Sequence, residues 1–132
     1  MADNGSGATP SALRNWPVQL KLVPVRAPWF DGAGLLIAAD CSAFACGDFH
    51  SKFLRGRVAV IGCPKLDEGD YTEKLTAILR ENDIQSVSLV RMEVPCCGGL
   101  VRALQNALAN SGKEIPVTVT ILSAEGEVVA VR

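Results

Sequence analysis

Three short apolar runs set the limits on how this chain can fold. "GLLIAAD" (Gly34 to Asp40), "RVAVIG" (Arg57 to Gly62) and "SVSLVRMEV" (Ser86 to Val94) are strand-length and rich in aliphatic residues, without the strict alternation of a half-solvated strand. Such runs are satisfied when strands are buried on both faces, as in a parallel sheet covered by helices. "PVTVTILS" (Pro116 to Ser123) is a fourth strand, and "GEVVAVR" (Gly126 to Arg132) is placed to return across Ala124-Glu125-Gly126 as a hairpin partner. "VQLKLVPV" (Val18 to Val25) alternates loosely and predicts a further strand ahead of the others.

The segments between the runs carry helical spacing. Tyr71, Leu75, Ile78 and Leu79 form one apolar face behind a capping Asp70, and Leu100, Val101, Leu104 and Leu108 form another that Gly112 is placed to end. Between Cys41 and Gly56, the residues Phe44, Phe49, Phe53 and Leu54 predict one or two helical turns packed into the core. Alternation of strand and helix defines an α/β fold with a mainly parallel sheet sandwiched by helices. The expected arrangement is a Rossmann-like or flavodoxin-like three-layer fold with a C-terminal hairpin. With 132 residues, 48% of them apolar, one domain over residues 16–132 is expected behind a flexible Gly/Ser/Pro-containing lead at residues 1–15.

Composition removes several function classes. Lysine and arginine total 13 against 14 acidic residues, a net charge of −1, so no basic surplus exists to neutralise nucleic-acid phosphates. No apolar run approaches the roughly 20 residues of a membrane span, and the first fifteen residues lack the layout of a signal peptide. A cytoplasmic chain with no nucleic-acid or membrane partner is therefore expected. There is no G-x-G-x-x-G fingerprint or phosphate-binding P-loop, and with a single histidine no hydrolytic triad or H-E-x-x-H site.

What remains is sulfur. The chain has five cysteines: Cys41, Cys46, Cys63, Cys96 and Cys97. Cys41 follows the first of the three runs directly, Cys63 follows the second, and Cys96 and Cys97 follow the third after one proline. In an open parallel sheet the carboxyl ends of the strands are where ligands bind, near the point where strand order reverses. Four thiols from three strand ends are thus expected to converge. Gly98 and Gly99 open the next helix without side chains, leaving room for a bulky group, and the positive helix end favours thiolates. Adjacent thiols suit a cuboidal iron–sulfur cluster, whose irons sit at separate corners. A cysteine-bound structural zinc, in a zinc-stabilised interaction module, and a thiol–disulfide or sulfur-transfer pair at Cys96-Cys97 remain as alternatives.

Four stretches together, "LRNWPVQLKLVP", "LLIAADCSAFACGDFH", "IGCPKLD" and "MEVPCCGGLVRAL", resemble the C-terminal domain of prokaryotic 4Fe-4S-binding, ferredoxin-type proteins, across about Leu13 to Gly126. The resemblance implies a 4Fe-4S-type cluster ligated by Cys41, Cys63, Cys96 and Cys97, electron transfer or oxidoreductase-like redox chemistry, and a redox partner protein such as a ferredoxin-type domain. Members of that group commonly carry an N-terminal ferredoxin domain, and its C-x2-C-x2-C-x3-C-P run does not occur in this chain. Cys46 departs from the family pattern, where tyrosine is common, and is a candidate fifth or alternate ligand. Of the other polar residues, His50 is expected to be a hydrogen-bonded helix residue, Lys65 a solvated cation near the site, and Asp40 the cap of the helical turn after Cys41.

Overall fold

The computed structural model describes residues 9–67 and 69–132, including the backbone but not the side chain of Cys96. The expected flexible lead falls partly on residues 1–8, outside the described residues. The strands are β1 (Gly34–Ala39), β2 (Arg57–Gly62), β3 (Ser86–Met92), β4 (Val117–Leu122) and β5 (Val128–Val131). The helices are α1 (Ser42–Ala45), α2 (Thr72–Glu81) and α3 (Gly98–Ser111). A π-helical turn at His50–Leu54 and a 3-10 turn at Pro95–Cys97 complete the site-bearing loops.

One sheet orders the strands β2-β1-β3-β4-β5. The first four are parallel and β5 returns antiparallel to β4, as the run pattern predicts. Side chains alternate between the faces. Leu36 and Ala38, with their β2 neighbours Ala59 and Ile61, face Leu13, Val18, Phe49 and Leu54. The opposite face carries Leu35, Ile37, Val58, Val60 and Gly62, and Gly62 lies against the ring of Tyr71 at the start of α2. α2 packs against α3 on that side. The arrangement is the three-layer α/β fold. Leu35, Leu36, Ile37, Leu75, Ile78, Leu79, Leu89, Leu100 and Leu104 are almost completely buried between the layers, and each such side chain contributes about 1.5–3 kcal/mol.

The helix faces follow the sequence spacing. Asp70 accepts the backbone N–H of Thr72 at 2.7 Å and so caps α2. Gly112, with φ +72°, ends α3 in the left-handed conformation that glycine adopts without strain.

Two expectations are corrected here. Val18–Val25 is not a strand: after a single parallel bridge between Gln19 and Ile61, the chain turns, with Leu22 and Val23 both bonding the Gln19 carbonyl. Within it Leu20 and Val23 are buried and Leu22 is exposed, and with Ala27 and Phe30 beyond its end the buried residues follow a helix-like spacing that competes with the loose alternation. Pro17 and Pro24, lacking N–H groups, cannot extend a ladder. The expected boundary after residue 15 also cuts through a packed contact. Asn15 is buried and pairs its side chain with both the N–H and the C=O of Ala59, each at 2.9 Å, covering the outer edge of β2.

Phe44 is the third departure. It is 93% exposed, whereas Phe49 and Phe53 are buried with ring centroids 5.6 Å apart. α1 is a single turn of 4 residues, and it buries Ser42 while sending Phe44 outward.

The β4–β5 turn packs onto α1. Gly126 has φ +86°, and a Cβ there would overlap the Ala45 carbonyl. Gly126→Ala is expected to cost at least about 2 kcal/mol, combining left-handed strain with overlap. Urea unfolding with an unchanged m-value would register it, and an unaltered midpoint would contradict the packing described.

Candidate functional site

Parallel register decides where the cysteines leave the sheet. Ala39 lies opposite Gly62, so the residues after each, Asp40-Cys41 and Cys63, emerge side by side. Ala38 lies opposite Val90, so Met92, Val94 and the Pro95–Cys97 turn emerge on the other flank of β1. The chain moves outward from β1 to β2 and then crosses to β3 on its other side, so the gap between β1 and β3 is the switch point of this strand order.

A cavity of about 190 Å³ sits there, bordered by Ala39, Asp40, Cys41, Cys63, Met92, Val94 and Cys97. Cys41 is exposed, Cys63 half-buried and Cys97 buried. The structure thus brings together three of the four expected ligands, each from a different strand end. The side chain of Cys96 lies outside the described residues, although its backbone is in the same 3-10 turn as Cys97. Among the described residues, no three His, Cys, Asp or Glu side chains are already grouped closely enough to hold one metal ion.

Several residues that sequence reasoning passed over hold these loops. The Tyr71 hydroxyl accepts the Cys63 backbone N–H at 2.8 Å and donates to the Asp67 carboxylate. Asp67 also accepts from Gln19 Nε2 at 3.1 Å, and its backbone N–H returns to the Cys63 carbonyl at 3.0 Å. Burial raises the Tyr71 pKa, and the Asp67 hydrogen bond raises it further, so the hydroxyl stays protonated and able to donate. The same hydrogen bond, with that from Gln19, lowers the Asp67 pKa. Arg91 braces the loop from β3, its guanidinium donating to the carbonyls of Met92 and Val94 at 3.1 and 3.3 Å.

The glycines have separate parts. A Cβ on Gly99 would stand 3.1 Å from Pro64 Cβ, so its missing side chain lets α3 approach the loop that carries Cys63. The group that uses this room is Pro64. Gly98 faces only the far end of Arg102, at 3.9 Å.

Cys46 and His50 stand apart from this cavity. The buried Cys46 thiol donates to Asp48 at 3.2 Å, and burial followed by that hydrogen bond raises its pKa. It borders a separate cleft of about 430 Å³ with His50, Ser51 and residues 9–11. His50 Nδ1 accepts the Ala12 N–H at 3.0 Å, in keeping with a hydrogen-bonded helix residue. Phe49 lines that cleft, away from the cysteine cavity, and Lys65 is solvent-exposed.

Asp40 does not play its expected part. α1 has no side-chain cap, and the Oδ1 atom of Asp40 is buried with no hydrogen-bond partner. Its pKa is raised, first by burial and then by the charge of Asp67. The cysteine thiols are soft donors of the kind that bind iron–sulfur clusters or zinc.

Fold and site together define a Rossmann-like α/β protein with a thiol-lined cavity at the carboxyl edge of its sheet. The chain belongs to a family described as Rossmann-like domain, whose model matches residues 27–132. It is 33% identical over 117 residues to an uncharacterized protein of Archaeoglobus fulgidus, covering 88% of this chain and 82% of that one. No solved structure matches. Among the described residues no helix is long and apolar enough to cross a membrane.

The clamp on Cys63 is directly testable. Tyr71→Phe removes the acceptor for its N–H and the donor to Asp67, and is expected to cost about 1–3 kcal/mol. Gly62→Ala, whose Cβ would stand 2.8 Å from the Tyr71 ring carbon Cζ, is expected to cost a similar amount, about 1–3 kcal/mol, by overpacking. Chemical denaturation measures both, and stability equal to the wild type in Tyr71→Phe would remove the clamp from the account.

Proposed function

We propose that this chain is an iron–sulfur, 4Fe-4S-type redox protein, with the thiolates of Cys41, Cys63, Cys96 and Cys97 holding the cluster at the carboxyl edge of the sheet. The observation that carries the reading is the shared cavity, in which Cys41, Cys63 and Cys97 arrive from three strand ends. The resemblance of the cysteine motifs to ferredoxin-type proteins supports it independently.

A cluster supplies reversible electron transfer, and cluster-based oxidoreductase chemistry where one iron is open. The chain supplies the setting. Ala39, Met92 and Val94 give the cavity apolar walls. The N-terminus of α3, immediately behind Cys97, offers a partial positive charge to thiolates there. Tyr71 and Arg91 hold the Cys63 and Cys97 loops in place through backbone bonds.

The proposed partner is a redox protein such as a ferredoxin-type domain. Its approach is supported by exposed apolar side chains on the cysteine-bearing segments: Phe44 is 93% exposed, Leu66 79% and Val94 43%. Each lies within three residues in sequence of a candidate cysteine. A cytoplasmic location, which keeps thiols reduced, is part of the same proposal.

Protein purified without oxygen is expected to be brown and to hold about four irons and four acid-labile sulfides per chain. Serine substitution at Cys41, Cys63, Cys96 or Cys97 is expected to lower the iron content, and Cys46→Ser to leave it at the wild-type level. Iron-free protein after reconstitution would overturn the reading. A stoichiometric zinc content in its place would identify a zinc-stabilised interaction module, and a metal-free protein with one fast-reacting thiol a thiol-exchange protein.

A further inference from the structure

The sheet face opposite α2 carries an apolar recess that shares no bordering residue with the cysteine cavity. Its floor is Leu36 and Ala38 of β1 with Ala59 and Ile61 of β2, and Leu13 and Val18 of the N-terminal segment stand at its side. Register creates it. Ala59 lies opposite Leu36 and Ala38 opposite Ile61, so each cross-strand pair has one short side chain. The space left is about 170 Å³. Close-packed interiors leave few voids of this kind, and apolar cavities of roughly this size take up molecules such as benzene.

One polar side chain borders the recess, that of His50. Its Nδ1 accepts the Ala12 N–H at 3.0 Å, so the neutral ring carries its proton on Nε2. That N–H has no partner among the described residues. His50, Phe49 and Ala43 also border the cleft of about 430 Å³, so the apolar recess and the more polar cleft share three walls. Charge narrows what fits. No lysine or arginine borders either space among the described residues. The carboxylate of Asp48, at the cleft, is held below its ordinary range by the Cys46 thiol and stays ionised. An anion would meet repulsion with no counter-charge, and a cation would meet the imidazole N–H.

We propose that this recess is a second binding site, for a small uncharged molecule whose apolar body rests on Ala38 and Ala59 and whose carbonyl-type oxygen accepts the His50 Nε2–H. An apolar pocket with one placed polar group is the ordinary build of a small-molecule site. The inference goes beyond the cluster reading and does not depend on it.

The test uses the full chain, 15N-labelled and purified without oxygen. It is titrated by NMR with 4-fluoroacetophenone and, separately, with fluorobenzene, which has the ring without the oxygen. Saturable amide shifts are expected at Ala38, Ala59 and His50, and none at Cys63 or Cys97. The ketone is expected to bind about three- to tenfold tighter than fluorobenzene, the worth of one hydrogen bond. Ala59→Leu fills the recess and is expected to weaken both probes by about tenfold or more. The absence of saturable shifts, shifts centred elsewhere, or equal affinity for the two probes overturns the inference. So does wild-type affinity in Ala59→Leu. If Ala59→Leu fails to fold, the wild-type shift map and the ratio of the two affinities decide. None of these outcomes bears on the cluster reading, which iron content decides.

Discussion

The register of the three parallel strands β2, β1 and β3 is the constraint on which everything else at the site depends. Hydrogen bonding between β1 and β2 sets Ala39 opposite Gly62, and pairing of β1 with β3 sets Ala38 opposite Val90. Because parallel strands share a direction, the residues that follow them emerge on one edge. Because both faces of these strands are buried, their apolar character alone does not choose the register; the shapes of the facing layers do, as where Gly62 lies against the Tyr71 ring. The positions of Cys41, Cys63 and Cys97 are a consequence of core packing.

Register brings the loops to one edge, and a second layer of contacts holds them there. The Cys63 loop is tied to α2 through Tyr71 and Asp67, and to the N-terminal segment through Gln19. The Cys97 loop is tied to β3 through Arg91. Gly99 lets the two loops close on each other, since any side chain there would press on Pro64. Most of these bonds reach backbone carbonyls and N–H groups. They preserve the shape of the cavity while leaving the thiols available to a ligand.

Strands β1 to β4, the hairpin and the faces of α2 and α3 were legible because each rests on local periodicity. The Val18–Val25 segment was not, because a weak alternation and a helix-like spacing of Leu20, Val23, Ala27 and Phe30 overlap there, and only packing decides between them. Phe44 was misplaced for a related reason: a single helical turn has too few residues to define an inner face. Tyr71 was read as a core aromatic, and its ring is indeed buried. Its hydroxyl contact with Cys63 spans eight positions and carries no sequence signal.

The sequence by itself determined the α/β class and the placement of a cysteine at the end of each of three buried strands, because both depend on residue type and short-range spacing. Tertiary structure alone decided which thiols share a cavity. Cys46 lies only five positions from Cys41, yet its thiol is committed to Asp48 beside a different cleft. Cys63 and Cys97 are far apart in the chain and border one space. Tertiary structure also stripped Asp40 of its expected capping role and left its oxygen without a partner. The physical reason is the same in each case: direction out of a sheet and desolvation by distant loops are properties of the assembled strands, and no short stretch of sequence contains them.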